Sequence, residues 1–312
     1  MTDAENPFHR AVYLTGPTAS GKTAVGVALA KRIDAEVVAL DSMTLYRGMD
    51  VLTAKPTPPE RAGVPHHLID VLDPWDSASV ADYRAWAVSA VSDIEGRGRK
   101  VLFVGGTPLY LKALLRGLFD GPGADAGLRA ELEQDADRIG DDAMQRRLAA
   151  VDPSSALRLH PNDRRRVLRA LEVVTTSGRP ISSFQNEHQP APPEVRVFAL
   201  ERPRDELCSR IDARVVRMFD DGLVDEVRAL QSGVLPVHPV PAQGVGYCEV
   251  EALLDGRATF AETLSRIQAR TRQFAKRQAT WFRGLAEVRP WKLSGDEPAE
   301  VTAEALARRL FP

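Results

Sequence analysis

The chain has 312 residues, 44% of them hydrophobic, enough to bury a full core as two domains or as one large α/β domain carrying an insertion. Its longest apolar runs, such as Val101 to Val104, are strand-sized and far short of the ~20 residues that cross a bilayer. Met1 to Arg10 hold no apolar leader stretch, and Cys208 and Cys248 lack metal or disulfide spacing, so no membrane span and a reducing, cytoplasmic setting are expected.

The net charge of −2 by itself argues for no polyanionic partner, but the charge is segregated. Asp125 to Asp142 hold seven acids against two arginines, whereas Arg257 to Arg283 hold seven basic residues against one acid, Glu262. The second stretch is suited to an anion.

In chain order, Ala11 to Thr15, Glu36 to Asp41 and Lys100 to Gly105 read as strands, with helical patterns after the first and before the third. That alternation predicts an α/β fold with a mostly parallel sheet. Val195 to Glu201 and Val288 to Leu293 read as further strands from the far end of the chain, so the middle must be an insertion. Its expected limits are the glycine-rich stretch Gly117 to Gly127 and the proline-rich stretch Gln185 to Pro193, with helical patterns between them. The expected division is a core of residues 1–120 and 193–312, interrupted by helical residues 121–192.

Directly after the first predicted strand stand Gly16, Pro17, Thr18, Ala19, Ser20, Gly21, Lys22 and Thr23, opening a helical pattern. This is the G-x-x-x-x-G-K-T phosphate loop in its strand–loop–helix setting. Its glycines let successive amides point at one phosphate group, the helix N-terminus adds partial positive charge, Lys22 adds a formal one, and the Thr23 hydroxyl can hold Mg²⁺. Kinases, nucleotide hydrolases and diphosphate-releasing transferases all need such a cradle, so other residues must decide among them.

The second predicted strand delivers Asp41 and Ser42 to its C-terminal end, where ligands sit in such sheets. Asp41 there could bind Mg²⁺, accept a proton, or simply cap a helix. The third ends in Gly105, Gly106 and Thr107 with no acid following, which argues against simple hydrolysis and offers the Thr107 hydroxyl as a neutral donor.

Placed on a helix, Phe260 to Leu285 put Phe260, Leu264, Ile267, Phe274, Trp281, Phe282 and Leu285 on one arc, expected to be core. Arg266, Arg270, Gln273 and Arg277 form one flanking stripe, and Arg272, Lys276 and Arg283 a second, neither with acidic partners within the helix. Solvated faces normally mix signs, so these stripes favour a nucleic-acid or diphosphate contact. Arginines 164–166 with Arg169, and Arg204, Arg210, Arg214 and Arg217, read by default as solvated helix faces, as do the cysteines as half-buried hydrophobes. His66 and His67 lack a convincing metal partner, because adjacent side chains diverge.

A longer set of motifs runs through nearly the whole chain. It comprises Gly16 to Thr23, Asp41-Ser42 followed by Tyr46 to Asp50, Thr53 to Pro56, Pro65 to Asp70, Gly105 to Thr107 with Leu109 and Tyr110, His160 to Asp163, Gly244 to Tyr247, and Thr271 to Arg283. In this order they resemble the bacterial tRNA dimethylallyltransferases.

The resemblance implies a P-loop NTPase-like core with an inserted, tRNA-facing helical domain; nothing in the sequence suggests more than a monomer. The implied reaction moves a dimethylallyl group from dimethylallyl diphosphate, with Mg²⁺, to N6 of adenine 37 beside the anticodon of a tRNA, releasing diphosphate. Carried over, Asp41 is the general base, and Thr107 and one of Arg210 and Arg214 partner the diphosphate. Gly16 and Thr18 to Thr23 (Ala19, Ser20, Gly21, Lys22) are its cradle. The tRNA side falls on Asp41, Ser42, Met43 and Thr44, on Arg129, Arg165, Arg166 and Arg169, on Gln243, Gly244, Gly246 and Tyr247, and on Lys276, Arg277, Gln278, Trp281 and Arg283. Pro108 and Cys248 depart from the family's usual residues. A small-molecule kinase and a nucleotide-sensing RNA-binding protein are the rival readings of the same loop.

Overall fold

A computed structural model describes residues 6–118, 121–185, 191–192, 194–233, 235–293, 295 and 297–311. The chain divides into two compact units, Met1–Leu115 with Pro190–Pro312, and Arg116–Gln189.

The first unit is built on six strands: β1 (Val12–Thr15), β2 (Ala35–Ala39), β3 (His66–His67), β4 (Lys100–Val104), β5 (Arg196–Glu201) and β6 (Val288–Lys292). They lie in the order β3-β2-β4-β1-β5-β6, and every neighbouring pair is parallel. β3, the two-residue edge strand, carries no period-2 pattern long enough to be read from sequence. Because β1 occupies the middle, the chain reverses direction of travel across the sheet there, and loops at the C-terminal strand ends open a crevice. The phosphate loop fills that position.

Successive β1 residues serve opposite faces, as a pleat demands. Val12 and Leu14 join the core beneath helices α1 (Lys22–Ile33) and, at the far end of the chain, α15 (Ala299–Leu310). Tyr13 joins the larger core on the other face, stacked on Phe103 with ring centroids 4.9 Å apart. Both faces of β1, β2, β4 and β5 are covered, which is why these strands read as largely apolar runs, whereas β6 at the edge is partly exposed.

Between β2 and β4 run two one-turn helices, α2 (Asp50–Thr53) and α3 (Pro58–Arg61), and the long α4 (Val80–Gly96), opened by a capping box of Ser79 and Asp82. After β4 comes α5 (Pro108–Arg116). The second unit is helical throughout its described residues: α6 (Ala126–Ile139), α7 (Asp141–Val151), α8 (Pro153–Arg158), α9 (Arg164–Ser177) and α10 (Ile181–Gln185), around a small core of Leu132, Met144, Leu148, Leu168 and Leu171. After β5 the first unit resumes with α11 (Arg204–Asp220), α12 (Leu223–Gln231), α13 (Tyr247–Leu254) and α14 (Phe260–Arg283). Among the described residues no helix is long and apolar enough to cross a membrane.

The packing of α14 differs from the expected aromatic arc. Its buried side is Thr263, Ile267, Thr271, Ala275, Gln278 and Phe282, while Phe260, Phe274 and Trp281 are exposed. Small residues at four-residue spacing let α14 lie close against α11 and α13, and the threonine hydroxyls are satisfied by the helix's own carbonyls, Thr263 to Thr259 at 2.9 Å and Thr271 to Ile267 at 2.7 Å.

Candidate active site

The phosphate loop owes its shape to a backbone that only glycine adopts freely at its start. Gly16 has φ +135°, and a Cβ there would stand 2.6 Å from the carbonyl oxygen of Leu200 on β5. From that point the loop curls to the N-terminus of α1, where Lys22 folds back and donates to the Pro17 carbonyl at 2.7 Å.

Arginines arriving from β5 and α11 hold the outside of the curl. Arg202 donates to the Ser20 carbonyl and Arg210 to that of Ala19, each at 3.0 Å, and Arg214 donates to the Thr18 hydroxyl at 2.7 Å. Both candidates of the Arg210/Arg214 pair therefore touch the loop. Arg210 and Arg214 are one helical turn apart on α11, so the turn that reads from sequence as a solvated face is turned toward the phosphate site. Arg202 falls in no sequence motif; its one signal is its place just past the C-terminal end of β5.

Asp41 stands two residues past β2. Its Oδ1 accepts the Met43 N–H at 2.9 Å, which orients the carboxylate and closes a tight turn. Burial raises its pKa, while the Met43 N–H, Lys22 and Arg214 pull it back down. Lys22 is displaced the other way, lowered to about 7 by burial, with Asp41 opposing that shift and Arg214 adding to it. Arg214 is likewise lowered by burial and supported by Asp41, and its Nε is buried with no hydrogen-bond partner among the described residues. One carboxylate thus stands among two cations that are short of counter-charge, a field suited to a second anion.

These groups line a cavity of about 1020 Å³, together with Thr18, Thr23, Lys55, His66 and Arg217. Thr107 is not on its lining. The Thr107 hydroxyl instead accepts the Ser42 N–H at 3.1 Å, bracing the residue next to Asp41. Ser42 and Met43 continue from there, and Met43 packs on the turn before α13, where a Cβ on Gly244 would meet its Cε at 2.9 Å. Gly244 is therefore brought against Met43, whereas Gly246 faces Leu52 and Ile267, and Tyr247 and Thr44 are buried.

Two further residues fix the segment that follows, from Tyr46 to Leu52. Lys55, with a side chain 3% exposed, donates to the Tyr46 carbonyl at 2.5 Å, to Asp50 at 2.7 Å and to Asp70 at 2.5 Å. Glu226 of α12 accepts the N–H groups of Asp50, Val51 and Leu52 at 2.7, 2.7 and 2.9 Å, a helix cap supplied from 170 residues away in sequence at the least. Lys55 falls within the Thr53 to Pro56 motif, but nothing in sequence marks Glu226 as a cap.

On α14, Lys276, Arg277, Trp281 and Arg283 are exposed, but the stripes are not free as their sequence suggests. Arg270 pairs with the buried Glu249 of α13, and Arg272 pairs with Asp212 of α11. Their counter-charges come from neighbouring helices, which inspection of α14 alone cannot reveal. Gln278 is buried and faces the phosphate loop.

In the helical unit, Arg129 and Arg169 both bind the Glu172 carboxylate at 2.8 Å, and Glu172 is 1% exposed. Arg169 also donates to the Pro122 and Gly123 carbonyls, at 2.6 and 3.0 Å. Both arginines hold the unit together, whereas Arg165 and Arg166 are exposed, Arg166 with Asp163 at 3.3 Å. His67 Nε2 donates to the Glu36 carboxylate at 2.7 Å and His66 contacts the Val64 carbonyl, so neither is arranged around a metal. Cys208 is half-buried, but Cys248 is exposed, contrary to expectation, because it lies on the outer side of α13.

No cluster of three or more His, Cys, Asp or Glu side chains suited to a metal ion occurs among the described residues. Thr23, a hard hydroxyl ligand on the cavity wall, does fit Mg²⁺ as that ion is usually held beside phosphates, with few protein ligands and several waters.

A parallel sheet switching direction at its phosphate loop, with cations gathered round that loop and a carboxylate across from them, defines a phosphate-loop α/β protein. The match of residues 44–285 to the IPP transferase family model then places it more narrowly. The chain belongs to the IPP transferase family. It is 48% identical over 281 residues to a tRNA dimethylallyltransferase of Geobacter metallireducens, covering 89% of this chain and 91% of that one. Among solved structures it resembles the full-length tRNA isopentenylpyrophosphate transferase of Bacillus halodurans, with TM-score 0.69, 38% identity and 97% of both chains covered. It also resembles a eukaryotic dimethylallyltransferase acting on tRNA, with TM-score 0.78 and 26% identity over 96% of this chain and 78% of that one.

Proposed function

We propose that this protein transfers the dimethylallyl group of dimethylallyl diphosphate to N6 of adenine 37 in tRNA, releasing diphosphate, and that it works as a cytoplasmic monomer. The observation that carries the reading is the shared cavity of Asp41, Lys22 and Arg214 beside the phosphate loop. The relatives' name, tRNA dimethylallyltransferase, supports the transferred group and tRNA as its acceptor.

The N6 amine is a weak nucleophile because its lone pair is delocalised into the ring. As its nitrogen forms a bond to the allylic carbon, the carbon–oxygen bond to diphosphate breaks and the electron pair leaves with that oxygen. Asp41 takes the amine proton, an assistance worth about 10²- to 10⁴-fold. Lys22, Arg214 and the loop amides stabilise the charge growing on the leaving group. Arg210 and Arg202 keep the loop curled, and Thr107 holds the Asp41 turn through Ser42. Thr23 would hold Mg²⁺, which would supply further charge neutralisation. The adenine must leave its stack to enter, so RNA backbone has to be gripped outside the cavity. The exposed Lys276, Arg277, Trp281 and Arg283 of α14, and Arg165 and Arg166 of the helical unit, are suited to that by charge and by an aromatic face.

The deciding experiment is incubation with labelled dimethylallyl diphosphate and unmodified tRNA, followed by digestion to nucleosides. Label on adenosine is expected; label that stays with diphosphate or reaches no nucleoside would refute the activity.

A further inference from the structure

We propose that Gln278 is a positioning residue that fastens the basic helix α14 to the phosphate loop, so that the helix offered to RNA also sets the shape of the diphosphate cradle. The proposal rests on the reading of the cavity as a diphosphate site and of α14 as an RNA face.

Gln278 lies on the buried side of α14, 4% exposed. Its Oε1 accepts the Thr18 N–H at 2.8 Å, and its Nε2 donates to the Gly106 carbonyl at 2.6 Å. A primary amide carries an acceptor and a donor on one carbon, so a single side chain joins the phosphate loop to the turn after β4. A carboxylate would offer no donor, and an aliphatic side chain neither group. Thr18 is held from its other side as well, by Arg214 on its hydroxyl at 2.7 Å. The third residue of the loop is thus fixed at both backbone and side chain by two helices far apart in sequence.

Gly106 makes the room for this. A Cβ there would come within 2.5 Å of Gln278 Nε2, so the absence of a side chain at 106 and the amide at 278 form one device. Within one turn of Gln278 on the same helix stand the exposed Lys276, Arg277 and Trp281. A helical turn is stiff, and whatever holds those three side chains therefore also holds the amide that braces Thr18.

The test uses two variants that break the link from opposite ends of the full chain. Gln278→Met keeps approximate volume and loses both hydrogen bonds; Gly106→Ala pushes the amide aside and leaves Gln278 in place. Inorganic diphosphate with Mg²⁺ is titrated calorimetrically, tRNA affinity is measured by filter binding, and melting temperature is followed. Each variant is expected to weaken diphosphate binding about tenfold, the scale of one or two lost neutral hydrogen bonds, with tRNA affinity within about twofold of wild type. The double variant should be no weaker than the weaker single, because both remove the same link. Additive losses, or unchanged diphosphate affinity in either variant that folds, overturn the proposal. So does a loss of tRNA affinity with diphosphate binding intact, which makes Gln278 an RNA contact. A wild-type protein that binds diphosphate but never labels tRNA sinks the proposed activity and leaves this test standing.

Discussion

Asp41 works as a base only while ionised, and its surroundings pull against one another. Burial outweighs the Met43 N–H and the two cations and leaves its pKa above the ordinary aspartate value. Transfer requires the carboxylate, so kcat/KM should fall on the acid side as pH drops through that raised value, and a pH profile of transfer checks it. Asp41→Asn should reduce turnover by at least ~10²-fold with tRNA affinity little changed; near-normal turnover would remove Asp41 as the base. Lys22 works in the opposite sense. With a pKa of about 7 it is largely neutral at pH 8 in the free protein, and an incoming diphosphate favours its charged form. Lys22 should therefore take up a proton on binding at pH 8, and clearly less of one at pH 6, where it is already charged, so the uptake is read as the difference between wild type and Lys22→Ala. Calorimetry in buffers of different ionisation enthalpy reads this directly. Lys22→Ala should weaken diphosphate binding and abolish this share of the uptake, and an uptake equal to that of wild type would place the proton elsewhere.

At the scale of elements, α14 and α9 divide their arginines between structure and surface. Arg270 and Arg272 are committed to Glu249 and Asp212, so they are poor candidates for phosphate contacts. Arg277 and Arg283 are exposed, Arg277 lying over the exposed Phe274 ring at 6.0 Å. Neutralising Arg277 and Arg283 together should flatten the slope of log affinity against log salt by up to ~2, while neutralising Arg272 should change it little and lower the melting temperature instead. A full salt slope in the Arg277/Arg283 variant would move the RNA surface off this helix. On α9 the same division separates Arg169 from Arg165. Arg169→Ala removes a partner of the buried Glu172 and should lower the melting temperature by several degrees, on the order of 1–3 kcal/mol, whereas Arg165→Ala should leave stability within ~0.5 kcal/mol. Equal melting temperatures for the two would contradict the contacts seen at Glu172.

For the molecule as a whole, the donor set predicts how metal and fold are related. With no cluster of metal-binding side chains among the described residues and Thr23 on the cavity wall, Mg²⁺ has no structural post to fill. Chelation by EDTA should therefore stop transfer and leave the melting temperature of the ligand-free protein unchanged. A fall in melting temperature on chelation would reveal a structural ion that this donor set does not provide. The same logic explains why the site sits where it does: β1 at the centre of a six-stranded parallel sheet puts its loop at the switch point, with β2 and β4 on one side and β5 on the other all ending at the same crevice.

What the sequence determines alone is whatever local pattern carries. The phosphate loop, the runs that become β1, β2, β4, β5 and β6, and the helical character of the middle follow from residue spacing and turn chemistry, which act within a few residues. Asp41 is legible as a residue at a strand end for the same reason. Only tertiary structure decides which charges find partners and which face of a helix is covered, because both depend on residues remote in sequence. Arg270 and Arg272 look free until α13 and α11 bring Glu249 and Asp212. Phe274 and Trp281 look like core until the small residues Thr263, Thr271 and Ala275 turn out to permit the closer approach. The two-residue β3 is too short to show a period, and Glu226 caps α2 across a sequence distance that no local motif spans. Gln278 reads from its motif as one more residue of a basic helix, and its place between Thr18 and Gly106 exists only once the sheet has brought 18, 106 and 278 to one point.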